Sequence, residues 1–187
     1  EEVHYKQAAR GGCGTVLRDK KIKGIVVRYS QLSGDSNGPA DPALLRKAGQ
    51  RINKEITDFD LVQNDMRGTG TPYLVEIMNR FDLLPVENFR FGAHPDSMKM
   101  NGEKWKAIFD HSAPDSCWYG CTMACSHTVA HFHLRTGPYA GQSVTVDGPE
   151  YETLGAMGSN CGIFEPLDLL ELNFYADTYG IDSISVG

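Results

Sequence analysis

The chain is 187 residues long, with 41% hydrophobic and 22% charged side chains, the composition of a globular protein long enough to bury a core without disulfides. Its net charge of −6 and the scatter of its Lys and Arg residues argue against a nucleic-acid surface. No apolar run approaches the ~20 residues of a membrane span, and five cysteines, three of them crowded together, point to metal-serving thiolates in a reducing cytoplasm rather than to a secreted disulfide framework.

The chain opens on Glu1-Glu2-Val3-His4, acidic and polar where a signal peptide would be basic and then apolar. Both ends read as cut, so the chain is expected to be a fragment of a longer protein. Residues 8–14 form a Gly-rich loop, and residues 22–29, apolar and β-branched, are expected to be a buried strand. The turn-formers of 33–39 mark a domain boundary. Residues 1–32 then read as the end of an incomplete strand-bearing domain, and 33–187 as a mainly helical domain. The expected fold is mainly α with a short β-containing N-terminal end.

In that second domain Asp41 can cap a helix with Pro42 at its first position. Leu44, Leu45, Ala48, Ile52 and Ile56 form its apolar stripe at helical spacing. Gly68-Thr69-Gly70 breaks the chain, and Thr71-Pro72 starts a second helix bearing Leu74, Ile77, Met78 and Phe81. A third helix is expected around 102–110. Residues 131–134 and 143–146 read as two short strands about the turn 136–138, with His127, His131 and His133 as ordinary polar strand residues. The last helix begins at Glu165-Pro166, turns Leu167, Leu170 and Phe174 towards a core, and ends at Gly180 in a left-handed conformation. Glu171 on this helix reads as an exposed charge.

Cys117, Cys121 and Cys125 stand at i, i+4 and i+8, a stripe if helical and a ring of donors if the segment is a loop. Iron–sulfur clusters are held by Cys thiolates, usually four, several local and one distant. The missing fourth ligand is then either Cys161 or a residue beyond position 187. Zinc is the rival, because the three histidines follow at once and Cys/His mixtures suit it. Buried cysteines acting as small hydrophobes are a poor account of three in nine residues. Spacing alone does not choose between the two metals.

Four segments in order resemble the aldehyde:ferredoxin oxidoreductase family of tungstopterin enzymes. They are Ala9-Arg10-Gly11-Gly12-Cys13-Gly14-Thr15-Val16 with residues 20–27, the cysteine cluster, Gly148-Pro149-Glu150-Tyr151-Glu152-Thr153-Leu154 running into 158–163, and Asn173 with 177–185. The resemblance anchors 8–27 and 117–187, while the stretch between is divergent. It implies two pterin dithiolenes chelating one tungsten or molybdenum, with magnesium bridging their phosphates and a [4Fe–4S] cluster close by. Cys117, Cys121 and Cys125 match three cluster ligands. Asp177, Ile181, Asp182 and Ser183 match a pterin-contacting loop, Arg10 and Gly11 a turn near the pterin phosphates, and Glu152 an acidic side chain beside the metal, with Glu150 its near neighbour. The implied reaction takes an aldehyde and water to a carboxylic acid, with electrons passed to ferredoxin or another carrier protein; a homodimer is compatible with the family.

The residue chemistry accords with those roles. A Gly-rich turn lets backbone N–H groups approach phosphate, and Arg10 adds a bidentate cation. Asp177 and Asp182 flank a helix-ending glycine, placed to accept hydrogen bonds from a pterin. Glu152 can transfer a proton if burial raises its pKa. The pattern also departs from the family: three residues rather than two separate Cys117 from Cys121, and 125–148 is longer than usual. One extra residue is up to ~3.5 Å of extended chain, which a loop absorbs and a helix does not. The remaining pterin-binding parts are expected outside this chain, so the isolated polypeptide is expected to be inactive and to work with the remaining portion of the same enzyme. A zinc-stabilised binding module and a truncated relative without cofactor are the competing expectations.

Overall fold

The computed structural model describes residues 13–26, 38–59, 61–111, 115, 117 and 121–187. Over these the chain is mainly helical, with one two-stranded antiparallel sheet, as its sequence leads one to expect. Helix α1 (Cys13–Asp19) buries no residue. Residues 22–26 carry no strand, and Ile25 and Val26 are 73% and 94% exposed. An extended apolar segment becomes a strand only beside another strand, and among the described residues β1 and β2 pair only with each other. Residues 27–29 of the expected strand, and Arg10 and Gly11, lie outside the described residues.

Helix α2 (Pro42–Phe59) starts as its sequence dictates, with Asp41 Oδ1 accepting the Leu44 N–H at 2.9 Å and Pro42 at the first helical position. Its apolar stripe is largely uncovered: Leu44 is 63%, Leu45 58% and Ile52 47% exposed. Helix α3 (Leu61–Thr69) then runs through Gly68, so the break falls at Gly70 alone, whose φ of 66° and ψ of −171° suit only glycine.

From Gly70 onward the chain packs. A 3₁₀ turn, Thr71–Tyr73, leads into α4 (Leu74–Arg80). This helix buries Val75, whereas Ile77 and Phe81 are 37% and 65% exposed, so the buried face is rotated from the expected one. A second 3₁₀ segment, Pro95–Met100, precedes α5 (Gly102–Ile108), which Asn101 caps by accepting the Lys104 N–H at 3.1 Å. Trp105 on α5 is fully buried and anchors a core with Val75, Leu84, Met100, Phe109, Val146, Leu154, Leu169 and Leu170, each worth roughly 1.5–3 kcal/mol of burial for an aliphatic or Phe side chain.

Strands β1 (Thr128–His133) and β2 (Ser143–Asp147) pair with a register irregularity between Val129 and Phe132. His131 sits there with φ at 55°, the local kink expected of a bulge. His131 and His133 are exposed while Phe132 is buried. Helix α6 (Tyr151–Thr153) continues without interruption as a π turn, Leu154–Gly158, and a 3₁₀ turn, Ser159–Cys161. Helix α7 (Pro166–Tyr179) follows, ended by Gly180 at φ 67° and ψ 37°, and α8 (Ser183–Val186) comes last.

Two expectations for α7 are corrected. Leu167 is 47% exposed and Leu169 is buried in its place. Glu171 is 4% exposed, and far from being a solvated charge it accepts four hydrogen bonds: from Arg135 N and Nε at 2.9 Å each, Thr136 N at 2.7 Å and Thr136 Oγ1 at 2.9 Å. Burial alone would raise its carboxyl, but these donors outweigh it and hold it below the ordinary value. The Arg135 guanidinium also reaches Asp168 Oδ1 at 2.7 Å. The hairpin loop is thereby tied to α7.

Candidate metal and cofactor site

The described part of the cysteine segment is an irregular loop, with Ala124 at φ 45°, so the three thiols are not a helical stripe. Cys117 and Cys121 are exposed and Cys125 is half-buried. Backbone N–H groups of Ala124 and Met123 bond the Cys121 sulfur and hold its thiol below the ordinary value. Burial pushes the Cys125 thiol up, and the negative charges of Glu150, then Cys117 and Cys121, push it the same way, against a backbone hydrogen bond that lowers it. Among the described residues no three His, Cys, Asp or Glu side chains converge as a closed metal site.

The loop is held from behind by residues far away in sequence. Arg67 Nη2 donates to Thr122 O. His127 places Nδ1 2.9 Å from Cys125 O and Nε2 2.8 Å from Arg67 O, and its ring stacks on Phe109 with centroids 4.5 Å apart. Both ring nitrogens face carbonyl oxygens in a buried position, so His127 braces the loop and is not disposed as a zinc ligand. Gly70 closes the contact: a Cβ there would meet Cys125 O at 3.1 Å and His127 Nδ1 at 3.2 Å.

Glu150 and Glu152 occupy different surroundings. Thr71 Oγ1 donates to Glu150 Oε2 and accepts the Tyr151 N–H at 2.8 Å. Glu152 is exposed and lines a surface cleft of about 240 Å³ with Tyr151, Phe89, Asn160 and Ile184, so it is not buried as its expected proton-transfer role required. Burial, and next the Glu152 charge, push the Tyr151 phenol up. One wall of the cleft is unusual. Glu87, Asn88 and Phe89 all have positive φ, 48°, 57° and 60°, each costing roughly 1–2 kcal/mol for a residue with a side chain. Ser159 O and Asn160 O and Oδ1 accept their three N–H groups at 3.0, 2.8 and 2.9 Å, and this over-determination keeps Phe89 76% exposed at the rim.

The loop after α7 reaches the same cleft. Ser183 Oγ lies 3.1 Å from Thr153 Oγ1, and the Ile181 N–H donates to Ala176 O at 2.8 Å. Asp182 caps α8, accepting from Ile184 N at 3.4 Å and from Ser185 Oγ; Asp177 is half-buried one turn before the helix end. The structure thus brings Glu152 together with Ile184 at the cleft, sets Ser183 on Thr153, and ties Glu150 to Thr71, beside the Gly70 that packs on the cysteine loop. Sequence reasoning missed Arg67, Thr71 and Asn160, and offered His127 only as a strand residue or a zinc donor. Only Gly70 carried a signal, as a break whose strained φ marks a close approach.

This donor set fits a cluster held by thiolates. The sulfurs belong to a segment whose described part is irregular and braced through its backbone, and the neighbouring histidine is occupied by carbonyls. Residues 47–187 match the family model described as "Aldehyde ferredoxin oxidoreductase, domains 2 & 3", and the chain belongs to that family. The match includes the stretch before Cys117 that motifs alone left unanchored. The chain is 30% identical over 183 residues to the tungsten-containing aldehyde ferredoxin oxidoreductase of Pyrococcus furiosus, covering 98% of this chain and 28% of the relative. It is likewise 30% identical over 183 residues to the enzyme of that name from Thermococcus kodakarensis, with the same coverage. Against the aliphatic sulfonate oxidoreductase, WOR-like subunit, of Pyrococcus furiosus it is 42% identical over 182 residues, covering 96% of this chain and 27% of the relative. The chain therefore spans about 28% of the length of the curated relatives it matches. Among the described residues no helix is long and apolar enough to cross a membrane.

Proposed function

We propose that this chain is the central part of a tungsten- or molybdenum-bis-pterin, [4Fe–4S] oxidoreductase that converts an aldehyde and water to a carboxylic acid, releasing two electrons and two protons, with the electrons passed on to ferredoxin in the cytoplasm. The observation that carries the reading is the cysteine loop, braced through its backbone by Arg67 and His127, within the 47–187 match to the family. Cys117, Cys121 and Cys125 would hold the cluster, with Cys161 or a residue outside this chain as the fourth ligand. Asp177, Ile181, Asp182 and Ser183 would contact one pterin, and Arg10 and Gly11 the phosphates that magnesium bridges. When bound, the metal–pterin centre supplies two-electron chemistry and the cluster carries electrons singly.

The chain's own residues contribute orientation and proton handling. Glu152, exposed to the cleft, would accept a proton released from the hydrated aldehyde. Phe89, held out by its left-handed turn, gives the organic part of a substrate an apolar wall. A second substrate class, an aliphatic sulfonate, is favoured by the 42% identity to a protein of that name. Metal and sulfide analysis of the full-length protein, followed by viologen-dye assays with aldehydes and with aliphatic sulfonates, tests both. Iron, acid-labile sulfide and tungsten or molybdenum are expected; zinc alone would overturn the reading, and the preferred substrate decides between the two classes.

A further inference from the structure

The turn that carries Phe89 is more strained than closing the chain requires. Val86 and Phe91 exchange backbone hydrogen bonds at 3.2 Å each, so residues 87–90 form a four-residue hairpin loop. Such loops are ordinarily built around a type I turn, whose central residues have negative φ. Here Glu87, Asn88 and Phe89 in succession have φ of 48°, 57° and 60°, a region that residues with side chains visit singly and not in runs. Of the three, only Asn88 is of a type that enters it readily. Two neighbours impose the conformation. Ser159 O accepts the Glu87 N–H at 3.0 Å, Asn160 O the Asn88 N–H at 2.8 Å and Asn160 Oδ1 the Phe89 N–H at 2.9 Å. Asn160 is 6% exposed, and its amide also donates to Gly187 O at 3.0 Å, so both ends of one buried side chain are fixed.

The core gains nothing from this, since Phe89 stays 76% exposed. The strain instead sets an aromatic ring at the rim of the cleft, which Phe89 lines with Pro85, Tyr151, Gly155, Ala156 and Ile184. Glu152 brings the one charged side chain among the described residues of that lining. The cleft measures about 240 Å³, and a void of roughly 150 Å³ already holds benzene, so there is room for one ring.

We propose that Phe89 is a specificity-determining residue that selects substrates carrying a flat apolar ring over open-chain ones, and that Asn160 is the positioning residue that holds it in place. The proposal rests on the reading that the cleft beside Glu152 receives an aldehyde. A substrate ring against Phe89 gains offset or edge-on contacts beyond the area it buries, whereas an open chain gains the area alone. A wall fixed in advance by an over-determined turn need not be ordered when the substrate binds.

The test uses the full-length enzyme loaded with its metals, and reads kcat and KM for benzaldehyde and for hexanal with a viologen dye. The two aldehydes differ in intrinsic reactivity, so the quantity compared is the change in the ratio of their kcat/KM values between variants. That ratio does not depend on how much of the protein is loaded. F89A and F89L are expected to lower the benzaldehyde-to-hexanal ratio about tenfold, mainly through the KM for benzaldehyde, and F89Y to keep it. N160A is expected to lower the ratio as well, and F89A/N160A to lower it no further than F89A alone. N160D, which keeps an acceptor for the Phe89 N–H, is expected to restore most of it. An Asn160 that merely supported the fold would weaken both substrates alike, so an unmoved ratio in N160A overturns its positioning role. An unmoved ratio in F89A overturns the proposal and leaves the oxidoreductase reading standing; Phe89 is exposed, so this arm decides even if N160A does not fold. A wild-type enzyme that oxidises neither aldehyde overturns the underlying reading and this proposal with it.

Discussion

The Arg135–Glu171 knot and the cysteine loop are both clusters of polar, chemically capable side chains, yet the fold treats them in opposite ways. Glu171 is buried and has four donors from two adjacent residues. The thiols of Cys117 and Cys121 are exposed, and the bonds around them, from Arg67 and His127, fix the loop's backbone. A cluster satisfied by its own side chains is structural, because every donor it needs is already paired. A loop whose backbone is braced while its soft donors face outward is prepared for a ligand from elsewhere.

The largest effect that would break this contrast is at Cys121. In the full-length enzyme C121S is expected to abolish the brown chromophore and lower iron content, with little change in the melting temperature of the surrounding helices; retained colour and iron would remove Cys121 from the ligand set. On the other side of the contrast, E171A is expected to destabilise by about 2 kcal/mol, since bonds to a charged acceptor are worth roughly 1.5–3 kcal/mol each and their donors then turn to water. Urea unfolding measures it, and metal content is expected to stay constant. A loss of metal in E171A would erase the distinction between the two regions.

The knot also has a pH signature. Hydrogen bonds hold the Glu171 carboxyl below its ordinary value despite burial. A group with a depressed folded-state pKa contributes stability that is present above its unfolded value, about 4.3, and is lost as pH falls through the folded value. The difference in unfolding free energy between wild type and E171Q is therefore expected to be constant near neutrality and to shrink below about pH 4.3. An effect of similar size is expected of G70A, about 1–3 kcal/mol from the backbone conformation alone, with a selective rise in protease nicking at the cysteine loop it supports. The smallest is D168N: Asp168 and Arg135 are both about half exposed, and such pairs contribute about 0–1 kcal/mol. A D168N cost as large as that of E171A would mean that the guanidinium, and not the buried carboxylate, organises the knot.

Much of the outline was legible because it is local. Asp41 and Pro42 begin α2, Pro166 begins α7 and Gly180 ends it, each through groups within four residues. The hairpin was legible from two apolar runs about a turn. The faces of helices were less so: Leu169 replaces Leu167 in the core, and α4 buries Val75 while Ile77 stays exposed. Apolar spacing says that a face exists, but which residues lie innermost depends on where the neighbouring elements cross. The stripe of α2 shows the same limit, for its spacing is helical and its leucines are exposed.

The sequence by itself determined the cysteine spacing, the Gly-Pro-Glu-Tyr-Glu-Thr segment, the helix ends and membership of the family, since these are matters of residue type and short spacing. Tertiary structure alone decided that Glu171 is buried, that both ring nitrogens of His127 meet backbone carbonyls behind the cysteine loop, and that Glu150 and Glu152 part company at one helix start. Those outcomes rest on partners 36, 60 and 79 residues away. A polar side chain's role is set by which groups surround it, and surroundings drawn from that far along the chain exist only once it has folded.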